Sequence, residues 1–173
     1  MTHKKRIELE NKIKKVLKKH IIIQVKPNEI DEAIEGNNSL NLNWLEANKL
    51  IEIINKLNPH KAILDCPSPN IEKFKNYILK SLTNKNIDLT LAHKAERFEI
   101  VAAASILAKC AREREVEQLK KKYGDIGPGY PSNETTKEFI KENYNKYPEI
   151  FRKSWSTWKN IYAQKKQKKL DEF

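Results

Sequence analysis

Residues 93 to 132 read HKAERFEIVAAASILAKCAREREVEQLKKKYGDIGPGYPS, and this stretch decides the fold. It predicts one long helix, Phe98 to Lys122, set between the end of a strand and a glycine-proline loop. Ala102, Ala103, Ala104 and Ser105 open the helix with small side chains that let its backbone approach a neighbour closely. Lys109, Arg112, Glu113, Arg114 and Glu115 further along favour water, so a buried start and a solvated end are expected. After Tyr123 the chain breaks at Gly124, and Gly129 and Pro131 confine Tyr130 to a short restricted loop. A ring held in that way is either a stacking surface or the cap of an apolar patch.

Working outward, the pattern alternates helices with strands. Thr2 is the N-cap of a helix over 3–19 that carries Ile7, Leu9, Ile13, Val16 and Leu17, and Ile21 to Val25 reads as a strand. A short helix from Pro27 to Ile34 ends at Gly36-Asn37-Asn38, and a longer one from Asn41 to Leu57 turns Leu42, Leu45, Leu50, Ile53, Ile54 and Leu57 mostly inward. Lys61 to Asp65 is the next strand, Asn70 caps a helix to about Leu82, and Ile87 to Ala92 is the third strand. Helices over 133–144 and 155–165 close the chain, the latter carrying Trp155 and Trp158 on one face. Strands joined through helices pair in parallel by right-handed crossovers, which makes this an α/β fold. Three strands among so many helices leave a sheet edge unpaired, and such edges are normally covered or paired, so strands are missing from this pattern.

The 173 residues are enough for one domain with a core of its own, and a single domain over 1–173 is expected, with a basic, flexible tail over 163–173. Thirty-four Lys and Arg against 23 Asp and Glu leave a formal charge of +11, which points to a polyanion, nucleic acid first, as the partner. The alternative is a lysine-rich solvated surface. Cys66 and Cys110 have neither disulfide nor metal-ligand spacing, and no apolar run approaches the ~20 residues of a membrane span. A cytoplasmic protein is expected.

Two acids stand where α/β proteins gather ligands. Asp65 ends its strand and Glu96 follows the next, so a parallel crossover carries both to the carboxyl edge of the sheet. The bland alternatives are a helix cap for Asp65 and a surface ion pair with Lys94 or Arg97 for Glu96.

His93-Lys94-Ala95, Val101 to Lys109 and Tyr123 to Ser132, with Arg152-Lys153-Ser154-Trp155 and Thr157-Trp158-Lys159 downstream and Ile63-Leu64-Asp65 upstream, together resemble the ribonuclease HII (type 2 ribonuclease H) family, in its archaeal branch. The resemblance covers roughly residues 2 to 161. It implies a ribonuclease H-like mixed sheet flanked by helices, with a helical C-terminal part and without the N-terminal strands that bear the family's Asp-Glu-Ala-Gly-Arg-Gly motif. Those strands are expected from a separate partner chain or from sequence upstream. It further implies an endonuclease of DNA replication and repair that cleaves the RNA strand of RNA–DNA hybrids and at ribonucleotides embedded in duplex DNA.

The chemistry it implies is hydrolysis with two divalent ions about 4 Å apart, Mn²⁺ or Mg²⁺, held by hard carboxylate oxygens. Asp65 matches the third of the family's four carboxylates. Glu96 stands near the fourth, with one residue fewer before the alanine run than the family has. Either Glu96 replaces that Asp, or the Asp is deleted and Glu96 is its former neighbour. Tyr130 is the expected stacking group on the sugar at the DNA-to-RNA junction, and Lys94, Lys109, Ser132 and Gly129 are candidate substrate contacts. The competing expectation, drawn from the absent acids and the altered spacing, is a catalytically inactive nucleic-acid-binding remnant of the family.

Overall fold

The computed structural model describes residues 1–36 and 41–171, and side chains up to residue 167. Seven α-helices and two strands follow one another as α1 (His3–Val16), α2 (Pro27–Glu35), α3 (Leu42–Leu57), β1 (Lys61–Asp65), α4 (Ile71–Ser81), β2 (Asp88–Ala92), α5 (Glu99–Tyr123), α6 (Glu134–Asn143) and α7 (Ser156–Asp171). Single 3₁₀ turns lie at Ala95–Arg97 and Pro148–Ile150. Caps fix several boundaries where the sequence places them: Thr2 Oγ1 accepts from the Lys5 amide, Asn70 Oδ1 from that of Lys73, and Asn133 Oδ1 from that of Thr136. The expected turn at Asn37-Asn38 lies outside the described residues. No described helix is long and apolar enough to cross a membrane.

The chain forms two compact units, one of residues 1–24 and 43–113, the other of 25–42 and 114–173. In the first, β1 and β2 pair in parallel with Lys61 opposite Asp88 and Asp65 opposite Ala92. Their shared core holds Ala47 and Ile54 of α3, Phe74 and Ile78 of α4, and Cys66, Leu82, Ile87 and Leu89, with Phe74 and Ile78 wholly buried. Burial on this scale stabilises by roughly 1.5–3 kcal/mol per large apolar side chain. Trp44 stacks on Phe74 and tilts against Tyr77, whose hydroxyl donates to Asn48 Oδ1 at 2.8 Å, fastening α3 to α4.

In the second unit, Phe139 and Ile140 of α6 and Ile161 of α7 are buried, and Phe139 lies against Phe151. The Asp31 carboxylate of α2 accepts from the Lys153 and Ser154 amides, both at 2.9 Å.

Five sequence expectations are corrected. Ile21 to Val25 alternates half-buried and exposed as a strand does, yet the sheet of the described residues has only the strands β1 and β2. β-branched residues favour the extended chain, but a strand is completed only by a hydrogen-bonded neighbour, and this stretch has none in that sheet. Helix α1 buries Glu10 and leaves Ile7 and Val16 exposed, because its inner face is polar: Arg6 Nη2 and His3 Nδ1 reach the Glu113 carboxylate at 2.8 and 2.7 Å. The alanine run of α5 is half-buried at Ala102 and Ala103 and exposed at Ala104, and the helix buries Leu107 and Cys110 instead. Trp155 precedes α7 under the Arg152 guanidinium, so it does not share a helix face with Trp158, which stacks on Tyr162. Helix α7 also runs on through Asp171, across most of the stretch expected as a tail.

Candidate functional site

The carboxyl ends of the two strands build a candidate site within the first compact unit. Beyond the Asp65–Ala92 pair the ladder continues with the Cys66 amide donating to the Ala92 carbonyl at 3.0 Å. His93 Nδ1 lies 2.9 Å from the Cys66 carbonyl, and since a carbonyl only accepts, Nδ1 donates this bond. Lys94 then takes a left-handed conformation, φ 54° and ψ 46°, which costs a side-chain-bearing residue roughly 1–2 kcal/mol. That reversal feeds the 3₁₀ turn Ala95–Arg97, and the Ala95 amide donates to Asp65 Oδ1 at 2.8 Å. Ala95 itself is fully buried.

Asp65 is therefore a strap between β1 and the turn after β2. A carboxylate has about four lone-pair positions, and the Ala95 bond uses one. Glu96 is the next residue of the same turn and is exposed, so the fold brings the two sequence-nominated acids to one sheet edge. The helix-cap and ion-pair alternatives have no support: Asn70 caps α4, and no ion pair links Glu96 to Lys94 or Arg97 among the described residues.

A further acid that the sequence did not nominate is coupled to Asp65 through its charge. Glu46 of α3 has its pKa raised, first by burial of its carboxyl group and second by the charge of Asp65. The residue as a whole keeps much of its surface exposed. Among the described residues no three His, Cys, Asp or Glu stand together as a metal-holding group. A Mg²⁺-type ion needs only one or two carboxylates when waters and substrate phosphates fill its remaining positions. The donors present are hard oxygens of that kind, and they fit a partly filled shell.

The second compact unit holds the tyrosine loop. Gly124, Gly127 and Gly129 all have positive φ, at 94°, 64° and 73°. At Gly127 a Cβ would lie 2.7 Å from Thr136 Oγ1 and 2.8 Å from Asn133 Oδ1, so only glycine fits. Asp125 Oδ1 accepts from the Gly127 amide at 3.0 Å. Buried Thr136 is the staple: its hydroxyl accepts from the Gly129 amide at 3.2 Å and donates to the Ile126 carbonyl at 3.0 Å.

The Asn133 amide closes the turn on the Tyr130 carbonyl at 3.0 Å. Tyr130 ends up 53% exposed on this rigid frame, which suits a stacking surface better than the cap of an apolar patch. Ser132 is exposed beside it and Gly129 half-buried, while in the first unit Lys94 and Lys109 are exposed. Sequence reasoning missed Thr136 as well as Glu46. Its signal was the Asn-x-x-Thr start of α6 placed directly after the glycine loop.

The family model for ribonuclease HII matches residues 1–158. Ribonuclease HII of Methanococcus maripaludis strain C5 is 39% identical over 179 aligned residues, spanning 98% of this chain and 73% of the relative. That of Pyrococcus horikoshii is 36% identical over 181, spanning 100% and 80%. Among solved structures, the crystal structure of the ribonuclease H2 from Pyrococcus horikoshii OT3 superposes with a TM-score of 0.83 at 36% identity, covering 95% of this chain and 78% of that one. A chain in the PCNA:RNase HII complex from Archaeoglobus fulgidus gives 0.80 at 33% identity, covering 90% and 75%.

Proposed function

The chain belongs to the ribonuclease HII family, and from that premise we propose that it is an endoribonuclease, a hydrolase that cuts the RNA strand of RNA–DNA hybrids and at ribonucleotides embedded in duplex DNA. The observation that carries the reading is Asp65, held at the carboxyl edge of the sheet by the Ala95 amide with lone pairs to spare and Glu96 on the same turn. Asp65 and Glu96 are the proposed catalytic acids and the proposed ligands of Mn²⁺ or Mg²⁺. Two such ions, when bound, supply an activated water and a counter-charge to the leaving oxygen.

The chain's own residues do the rest by binding and orientation. The Ala95 amide tethers one Asp65 oxygen at the sheet edge and leaves lone-pair positions of the carboxylate for a cation. Exposed Lys94 and Lys109 neutralise phosphates, and Tyr130 stacks on the sugar at the DNA-to-RNA junction with Ser132 and Gly129 shaping its loop. A separate chain is a proposed source of the further carboxylates that a two-ion site uses. The A. fulgidus complex makes a PCNA clamp a proposed partner, tested by clamp binding to the purified chain. DNA replication and repair is the setting this reading implies.

Cleavage of a duplex carrying one embedded ribonucleotide, with Mn²⁺, tests the reading. Cleavage lost in Asp65→Asn is the expected result; cleavage retained in that variant removes Asp65 from the chemistry. A second reading, a nucleic-acid-binding remnant without catalysis, draws on the lack of a three-ligand group among the described residues. Mn²⁺ binding that depends on Asp65 argues against it.

A further inference from the structure

We propose that Glu46 is a further positioning residue of this site, holding through water the divalent cation that Asp65 binds. The inference rests on the reading of Asp65 as a ligand and deepens it.

Chain topology brings the two residues together. Helix α3 ends at Leu57, the chain reverses through Asn58 in a left-handed conformation at φ 45°, and β1 starts at Lys61. A helix and a strand joined by so short a reversal run antiparallel, so the first turns of α3 lie beside the carboxyl end of β1. From Glu46 to Leu57 the helix rises about 16 Å, and β1 spans about 13 Å, which puts Glu46 level with Asp65.

Packing agrees with this estimate. Ala47 and Cys66, the neighbours of Glu46 and Asp65 in sequence, are buried in one core cluster. The Trp44 stack on Phe74 and the Tyr77–Asn48 hydrogen bond fix the turn of α3 that carries Glu46. The raised pKa of Glu46, caused first by burial and second by the charge of Asp65, accords with that placement. Like charges gathered at one edge repel, and a divalent cation between them turns that cost into attraction. Ions of the Mg²⁺ class keep several of their waters. A carboxylate in the second layer therefore acts by orienting those waters, and losing such a partner typically weakens metal binding by about 10–100-fold.

The test is a calorimetric titration of Mn²⁺ into the chain and four variants, each checked by circular dichroism for native helix content. Asp65→Asn is expected to abolish binding, Glu46→Gln to weaken it about tenfold, and Glu46→Asp to recover part of the loss. Glu52→Gln serves as the control, since Glu52 is on the same helix and pairs with Lys56 at 2.6 Å; it is expected to bind as the parent does. If Asp65→Asn abolishes binding while Glu46→Gln binds normally, the inference about Glu46 is wrong and the site reading stands. Binding that survives Asp65→Asn, or a parent chain that takes up no Mn²⁺, overturns both. An equal loss in Glu52→Gln reduces the effect to bulk charge and also overturns the role of Glu46.

Discussion

Replacing Asp65 in two ways separates its two jobs. Asparagine keeps an oxygen that accepts from the Ala95 amide and discards the charge, whereas alanine removes both. In Asp65→Ala the amide of fully buried Ala95 loses its acceptor, which costs about 1–3 kcal/mol. The left-handed Lys94 loses one of the bonds that hold it in that conformation. Because Asp65 itself is exposed, water relieves part of this, and we expect about 2 kcal/mol for alanine and under about 1 kcal/mol for asparagine. For a chain of this length about 2 kcal/mol lowers Tm by roughly 4–8 °C. Cleavage should fall by at least about a hundredfold in both, since the charge that holds the cation is gone from both. Urea unfolding and cleavage of the embedded-ribonucleotide duplex read the two effects. Equal stability of the two variants would refute the strap, and an asparagine variant that cuts normally would refute the chemistry.

Three other outcomes follow from the same geometry. Gly127→Ala should destabilise by about 1–3 kcal/mol and release the Tyr130 loop, seen as faster amide exchange at Gly129, because a Cβ at φ 64° meets Thr136 and Asn133. Tyr130→Ala should change stability by less than about 0.5 kcal/mol, given its exposure, yet weaken hybrid-duplex binding by about 1–3 kcal/mol in a fluorescence titration; unchanged affinity would remove the ring from the interface. Glu46→Gln should raise the urea midpoint at pH 7: the folded pKa lies above the ordinary 4.5, so ionised Glu46 penalises folding above that folded value. The gain should vanish once pH falls below 4.5, and a gain that persists there would assign it to another cause.

The parts of the molecule that rest on neighbours in sequence were legible from the sequence. Thr2, Asn70 and Asn133 cap their helices because a cap involves residues within one turn, and Asp65 and Glu96 reach one edge because a parallel crossover leaves no other arrangement. Two of the failures turn on distant partners, one by their lack and one by their presence. Ile21 to Val25 has the composition and burial alternation of a strand without a neighbour in the sheet, and α1 turns Glu10 inward because Glu113, far along the chain, draws Arg6 and His3 towards it.

By itself, then, the sequence determined the α/β class and the family and nominated two acids that share a sheet edge, since periodicity, caps and a long collinear match are properties of the chain taken in order. Only the tertiary structure decided that Asp65 straps the turn holding Ala95, that Thr136 staples the tyrosine loop, and that Glu46 is coupled to Asp65. Each of these depends on residues brought together by the reversal of a helix onto a strand or of a loop onto a helix, and side-chain type alone does not encode where such reversals meet.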